Sequence, residues 1–202
     1  MKKFLLPLVF VLLLPWASSA PQGIGDIAGQ GCICHGSLDA STELILVGLP
    51  AEFESNTSYN FSLEVRSSKV SISPGQEAGG FRIDISSGDL QFNNTVGHIQ
   101  ELEEGWTHTD SGNKVRVWNF VYISPSDNTT FTDITINANA VNGNDQSTGD
   151  AWNGTIIRIP GTAYVGDLEP PIKDESLGAL DYAVGSTALV CLVALAFIII
   201  KD

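Results

Sequence analysis

From Thr42 onward the chain alternates apolar and polar positions with the two-residue period of half-buried strands. Leu44, Ile45, Leu46 and Val47 make a short apolar run that Gly48 and Pro50 stop. Tyr59, Phe61, Leu63 and Val65 alternate with Asn60, Ser62, Glu64 and Arg66, and Phe81, Ile83 and Ile85 alternate with Arg82 and Asp84. Val115, Val117 and Val121 interleave with Trp118, Phe120 and Tyr122, which predicts a central strand apolar on both faces. Its three aromatic residues are read as core rather than as a ligand groove. Ile134, Ile136, Ala138 and Ala140 alternate with Thr135, Asn137 and Asn139, and Ile157 and Ile159 close the last strand. Turn signals at Ser73-Pro74-Gly75, Gly79-Gly80, Ser111-Gly112-Asn113 and Asn142-Gly143-Asn144 punctuate the pattern, with no helical stripe between them. Seven or eight short strands so spaced predict an all-β fold, an antiparallel Ig-like β-sandwich over residues 41–160.

The two ends read differently. Residues 1–20 carry Lys2 and Lys3, then an apolar run, then Ala17-Ser18-Ser19-Ala20, the pattern of a secretory signal peptide. Residues 178–200 are almost uncharged and long enough to predict a transmembrane anchor, with a cytoplasmic stub at 201–202. The acidic, Pro- and Gly-containing stretch 161–177 reads as a linker. Together these predict a single-pass protein of the cytoplasmic membrane whose domain faces outward, to the periplasm or cell surface.

Charge narrows the partners. The whole chain carries 23 acidic against 10 basic residues, a formal net charge of −13. Nucleic acid is therefore not expected as a partner, because binding it takes Lys and Arg against phosphate. Asn56, Asn60, Asn93, Asn128 and Asn153 sit in Asn-x-Ser/Thr sequons, compatible with a glycoprotein. No Gly-x-Ser-x-Gly elbow or other placed nucleophile accompanies the available Ser, His and Asp residues, so hydrolysis is not expected. The loop 142–150 offers oxygens for calcium but lacks the spacing and terminal Glu of an EF-hand, and reads as a turn and rim.

Chemistry concentrates in the Gly-rich lead-in, residues 21–40, at Gly31-Cys32-Ile33-Cys34-His35-Gly36. Two thiols and an imidazole in four residues suit copper or zinc, with His108 or, as a weaker alternative, His98 completing the shell. A Cys32–Cys34 disulfide is the plain alternative, although residues i and i+2 of an extended chain lie about 6.7 Å apart, at the edge of what a disulfide spans.

That opening, followed by Trp106-Thr107-His108-Thr109, by Trp118-Asn119-Phe120-Val121-Tyr122 with Pro125, and by Asn137 to Asn144 running on to Gly149-Asp150, resembles the Reelin-domain-like "choice-of-anchor V" family of prokaryotic surface proteins. The resemblance covers roughly residues 31–160 and implies a β-sandwich joined to a C-terminal anchor. It also implies a c-type haem, because members often carry Cys-x-x-Cys-His where this chain has Cys32-Ile33-Cys34-His35. The cofactor would be bound by Cys32 and Cys34, with His35 as iron ligand and His108 opposite. One residue is missing between the thiols. Two functions follow as expectations: electron transfer to an extracytoplasmic redox partner through haem c or Cu/Zn, or cofactor-free binding of a surface glycan or protein.

Overall fold

The computed structural model describes residues 20–35, 38–171 and 179–201, so the signal-peptide segment 1–19 lies outside the described residues. Among the described residues nine antiparallel strands form two sheets. They are β1 (Thr42–Val47), β2 (Ser58–Ser67), β3 (Gly79–Ile85), β4 (Asp89–Phe92), β5 (Ile99–Leu102), β6 (Gly105–His108), β7 (Val117–Ile123), β8 (Phe131–Ala140) and β9 (Ala151–Pro160). One sheet has the order β1-β2-β7-β4, the other β5-β6-β3-β8-β9. The all-β sandwich expected from the alternation is therefore present. The short strands β4, β5 and β6, four residues each, carry too little alternation to stand out in the sequence.

Facing side chains of the two sheets make one core. Phe81 stacks obliquely on Trp118 at 4.8 Å between ring centroids and meets Phe120 edge-on at 5.5 Å, while Phe61 lies flat on Phe120 at 5.1 Å. Both polar handles of the core aromatics are satisfied, Trp118 Nε1 donating to the Gly112 carbonyl and Tyr122 Oη meeting Thr132 Oγ1 at 2.7 Å. Trp118, Phe120 and Tyr122 are thus core residues.

Two expectations about burial are corrected. Strand β7 pairs on both sides, with β2 and β4, yet only one of its faces is buried, and Val117 is 46% exposed. Burial on both faces falls instead on β3, β6 and the second half of β8, where Arg82, Thr107, Asn137 and Asn139 point away from the core and are still buried. The lead-in causes this by lying across the outer face of the five-stranded sheet. A short 3₁₀ helix at Asp26–Gln30 seats Ala28, 3% exposed, on that face, and Asn137 Nδ2 donates to the Ala28 carbonyl at 2.8 Å and the Gly29 carbonyl at 3.3 Å. Thr107 Oγ1 accepts from Ile24 N at 3.1 Å. Arg82, 1% exposed, donates to the Leu102 and Glu103 carbonyls at 2.6 and 2.8 Å and pairs with Asp84, pinning the β5–β6 turn beside the lead-in.

The stretch read as a linker starts as part of the sandwich. Gly161 bridges Phe53, Thr162 N donates to the Phe53 carbonyl, and Tyr164 packs edge-on against Phe131 at 5.4 Å. Asn153, one of the sequon residues, donates its side-chain amide to the Thr42 carbonyl at 2.8 Å and so ties β9 to β1.

A separate unit holds the helix α1, Ala179–Lys201. No helix among the described residues is long and apolar enough to cross a membrane. Gly185-Ser186-Thr187 interrupts the apolar sequence of α1, and both hydroxyls turn back to the Ala183 carbonyl. The uninterrupted apolar stretch from Ala188 to Ile200 gives about 20 Å of helix at ~1.5 Å per residue, short of a hydrocarbon core of ~30 Å. This overturns the expected membrane partner through the C-terminal helix and, with it, the single-pass placement in the cytoplasmic membrane.

Candidate functional site

Where the lead-in crosses the end of the five-stranded sheet it roofs a cavity of about 470 Å³. Its floor comes from Gly80 and Phe81 of β3 and from Asn139 of β8, its roof from residues 20–35, and its rim from the loop 143–150. That volume is ordinary for a small-molecule site, and most of the lining is apolar, with Ile24, Ile27, Ile33 and Val141 prominent. Cys32, Cys34, His35 and His108 all line it, although His108 is 73 positions beyond His35. His98 does not line it.

The motif folds as a short 3₁₀ turn, Ile33–His35, closed by His35 N donating to the Cys32 carbonyl at 2.8 Å. Cys34 is exposed, with its thiol unpaired. His35 Nδ1 lies 2.7 Å from Asp150 Oδ2, and the Asp150 side chain is 1% exposed. The other Asp150 oxygen accepts from Asn142 N at 2.9 Å. A carboxylate only accepts, so Nδ1 of His35 carries a proton, and Nε2 has no hydrogen-bond partner among the described residues. This is how a carboxylate commonly orients a ligating histidine.

His108 is engaged at both nitrogens. Its Nδ1 accepts from Phe81 N at 3.1 Å, and Nε2–H donates to the Ala20 carbonyl at 3.2 Å. Burial pushes its pKa below the ordinary 6.5; the backbone partners at Phe81 and Ala20 oppose the shift and the His35 charge adds to it. His108 is therefore a neutral, hydrogen-bonded residue of the cavity wall, with no ring nitrogen spare for iron or a metal. Among the described residues no group of three or more His, Cys, Asp or Glu side chains could hold a metal ion. The four expected residues share a cavity without forming a ligand shell.

Sequence reasoning missed Asp150 and Asn139. Asn139 is 7% exposed, lines the cavity, and its Oδ1 has no hydrogen-bond partner. The signal for both was a polar residue at or just past the end of a strand otherwise fit for the core. The loop 142–150 does serve as turn and rim. Asn142 Oδ1 accepts from Asn144 N and Asn144 Oδ1 from Gln146 N, and both carboxamides donate to the Thr148 carbonyl.

No protein-family model matches this chain, and no curated protein matches it. Among solved structures it is similar to the Reelin-N domain of F-spondin, at 14% identity over 67% of this chain and 95% of that one, with a TM-score of 0.44. It is similar to the human F-spondin reeler domain at 13% identity, covering 65% of this chain and 99% of that one, TM-score 0.41. A third likeness is to a conjugate transposon protein of Bacteroides vulgatus, at 14% identity, 67% of this chain and 99% of that one, TM-score 0.35. The likeness is to Reelin-type domains, and membership of the choice-of-anchor V family is not shown.

Proposed function

We propose that this protein is an exported, cofactor-free binding module whose ligand enters the cavity between the lead-in and the 142–150 rim. The observation that carries this reading is the cavity itself, about 470 Å³ with a mostly apolar lining. Export is the inference from residues 1–20. The test is ligand-observed NMR on the full chain with a fragment collection, with and without Val141→Trp, which fills the cavity from its wall. Fragments should bind the parent and lose their signals with the variant, while both unfold at the same temperature. Fragments that bind both proteins equally would sink the reading.

A second reading, covalent c-type haem for electron transfer, is favoured by one observation. His35 is oriented by Asp150 with Nε2 unengaged, in the same turn as the exposed Cys34 thiol. When bound, haem would supply one-electron chemistry. The single residue between the thiols and the engaged nitrogens of His108 count against it. An absorption spectrum and intact mass of protein made in a host that matures c-type cytochromes decide the matter: a Soret band surviving acid-acetone extraction supports haem, and a colourless protein of unmodified mass removes it.

A further inference from the structure

The cavity combines an unmet acceptor with an acidic rim. Asn139 Oδ1 is an acceptor with no partner, on a residue more than nine-tenths buried. Glu77 and Asp145 add carboxylates, and none of the described residues lining the cavity is Lys or Arg. Arg116, a buried cation outside the lining, is consumed by the carbonyls of Ala78, Val70 and Val141, at 2.6, 2.8 and 3.2 Å. A buried acceptor left unmet is costly, and a ligand that donates to it recovers that cost. An anion would add charge to an acidic rim and meet no Lys or Arg.

Resting on the cavity reading above, we propose that the ligand is a cationic amine with an apolar body, its ammonium donating to Asn139 Oδ1 and facing Glu77 and Asp145. A primary ammonium has three donors for these acceptors, and its hydrocarbon part covers Ile24, Phe81 and Val141. Carboxylates and phosphates of the same shape are excluded by the field of the rim.

The test is calorimetric titration of the full chain with 4-phenylbutylamine, 4-phenylbutanol and 4-phenylbutyrate, three ligands of one shape and different heads. The amine should bind about tenfold or more tighter than the alcohol, the strength expected of a charged hydrogen bond, and the acid not at all. Asn139→Leu should abolish the preference for the amine while leaving the alcohol unchanged. Glu77→Gln, at a half-exposed position that does not hold the fold, should reduce amine binding several-fold by itself. Equal binding of alcohol and amine, or tighter binding of the acid, overturns the amine assignment and leaves the cavity reading standing. Failure of all three ligands to bind overturns both.

Discussion

Replacing Asn137 by Leu tests whether the lead-in is held to the sheet by side chains that the alternation pattern assigns to solvent. Asn137 is fully buried, and its Nδ2 serves the carbonyls of Ala28 and Gly29. Leu keeps the volume and removes the donor, leaving the Ala28 carbonyl without its 2.8 Å bond on a residue 3% exposed. The Ala28 carbonyl keeps its bond from Gly31 N, so what is lost is one hydrogen bond of about 1 kcal/mol, and opening of the lead-in becomes easier by roughly fivefold. Hydrogen exchange reads this residue by residue. Ala28 N and Gly31 N, bonded to the Gly25 and Ala28 carbonyls, should exchange roughly fivefold faster, and the β2 and β7 amides at nearly the parent rate. Unchanged exchange at Ala28 and Gly31 would refute the account. So would equal acceleration in β2 and β7, because the lead-in would then unfold only with the whole domain.

Arg82→Met should destabilise the domain by about 3 kcal/mol, because it strips two turn carbonyls and Asp84 of a buried guanidinium; urea unfolding checks it, and a loss below about 1 kcal/mol would contradict the clamp. Gly31, at φ 124°, has no room for a side chain, since a Cβ would come 2.3 Å from Trp152 Cη2; Gly31→Ala should therefore shift the tryptophan fluorescence and lower the melting temperature, both read in one thermal scan. His108 titrates below 6.5 in the folded state, so the unfolded chain binds more protons as pH falls through that range. Its contribution is complete above about 6.5 and is lost on acidification through the lower folded value; His108→Gln should flatten that limb of the stability–pH curve. The Lys69 ammonium, 2.7 Å away, and the Ser41 amide draw Asp39 down to about 2, and Lys69→Met should return it toward 3.8 in an NMR titration.

The sandwich was legible because its core faces obey a strict period of two, as in Phe61, Leu63 and Val65 of β2 or Ile134 and Ile136 of β8. What could not be read was the fate of the opposite face. Arg82, Thr107, Asn137 and Asn139 look like solvent positions, and only tertiary structure shows them buried, the first three bonded to a covering segment with no periodicity of its own. The Cys/His cluster and His108, far apart in the chain, line one cavity. Its composition nevertheless overstated the chemistry, because spacing along the chain cannot show that Phe81 and Ala20 already occupy the ring nitrogens of His108. Asp150 was hidden in a loop whose Asn and Gly content reads as turn, although its carboxylate sets the tautomer of His35.

The cavity exists because two loosely patterned segments meet over one sheet end, and this couples its occupancy to their order. Residues 20–35 reach the sheet through bonds to Asn137, Thr107, Arg82 and His108, all on β3, β6 and β8. The rim loop 143–150 touches the lead-in through the His35–Asp150 pair. A ligand seated on Asn139 contacts both segments while they are docked and loses one wall when either lifts. Binding must therefore stabilise the docked lead-in by as much as docking strengthens binding, since both belong to one thermodynamic cycle.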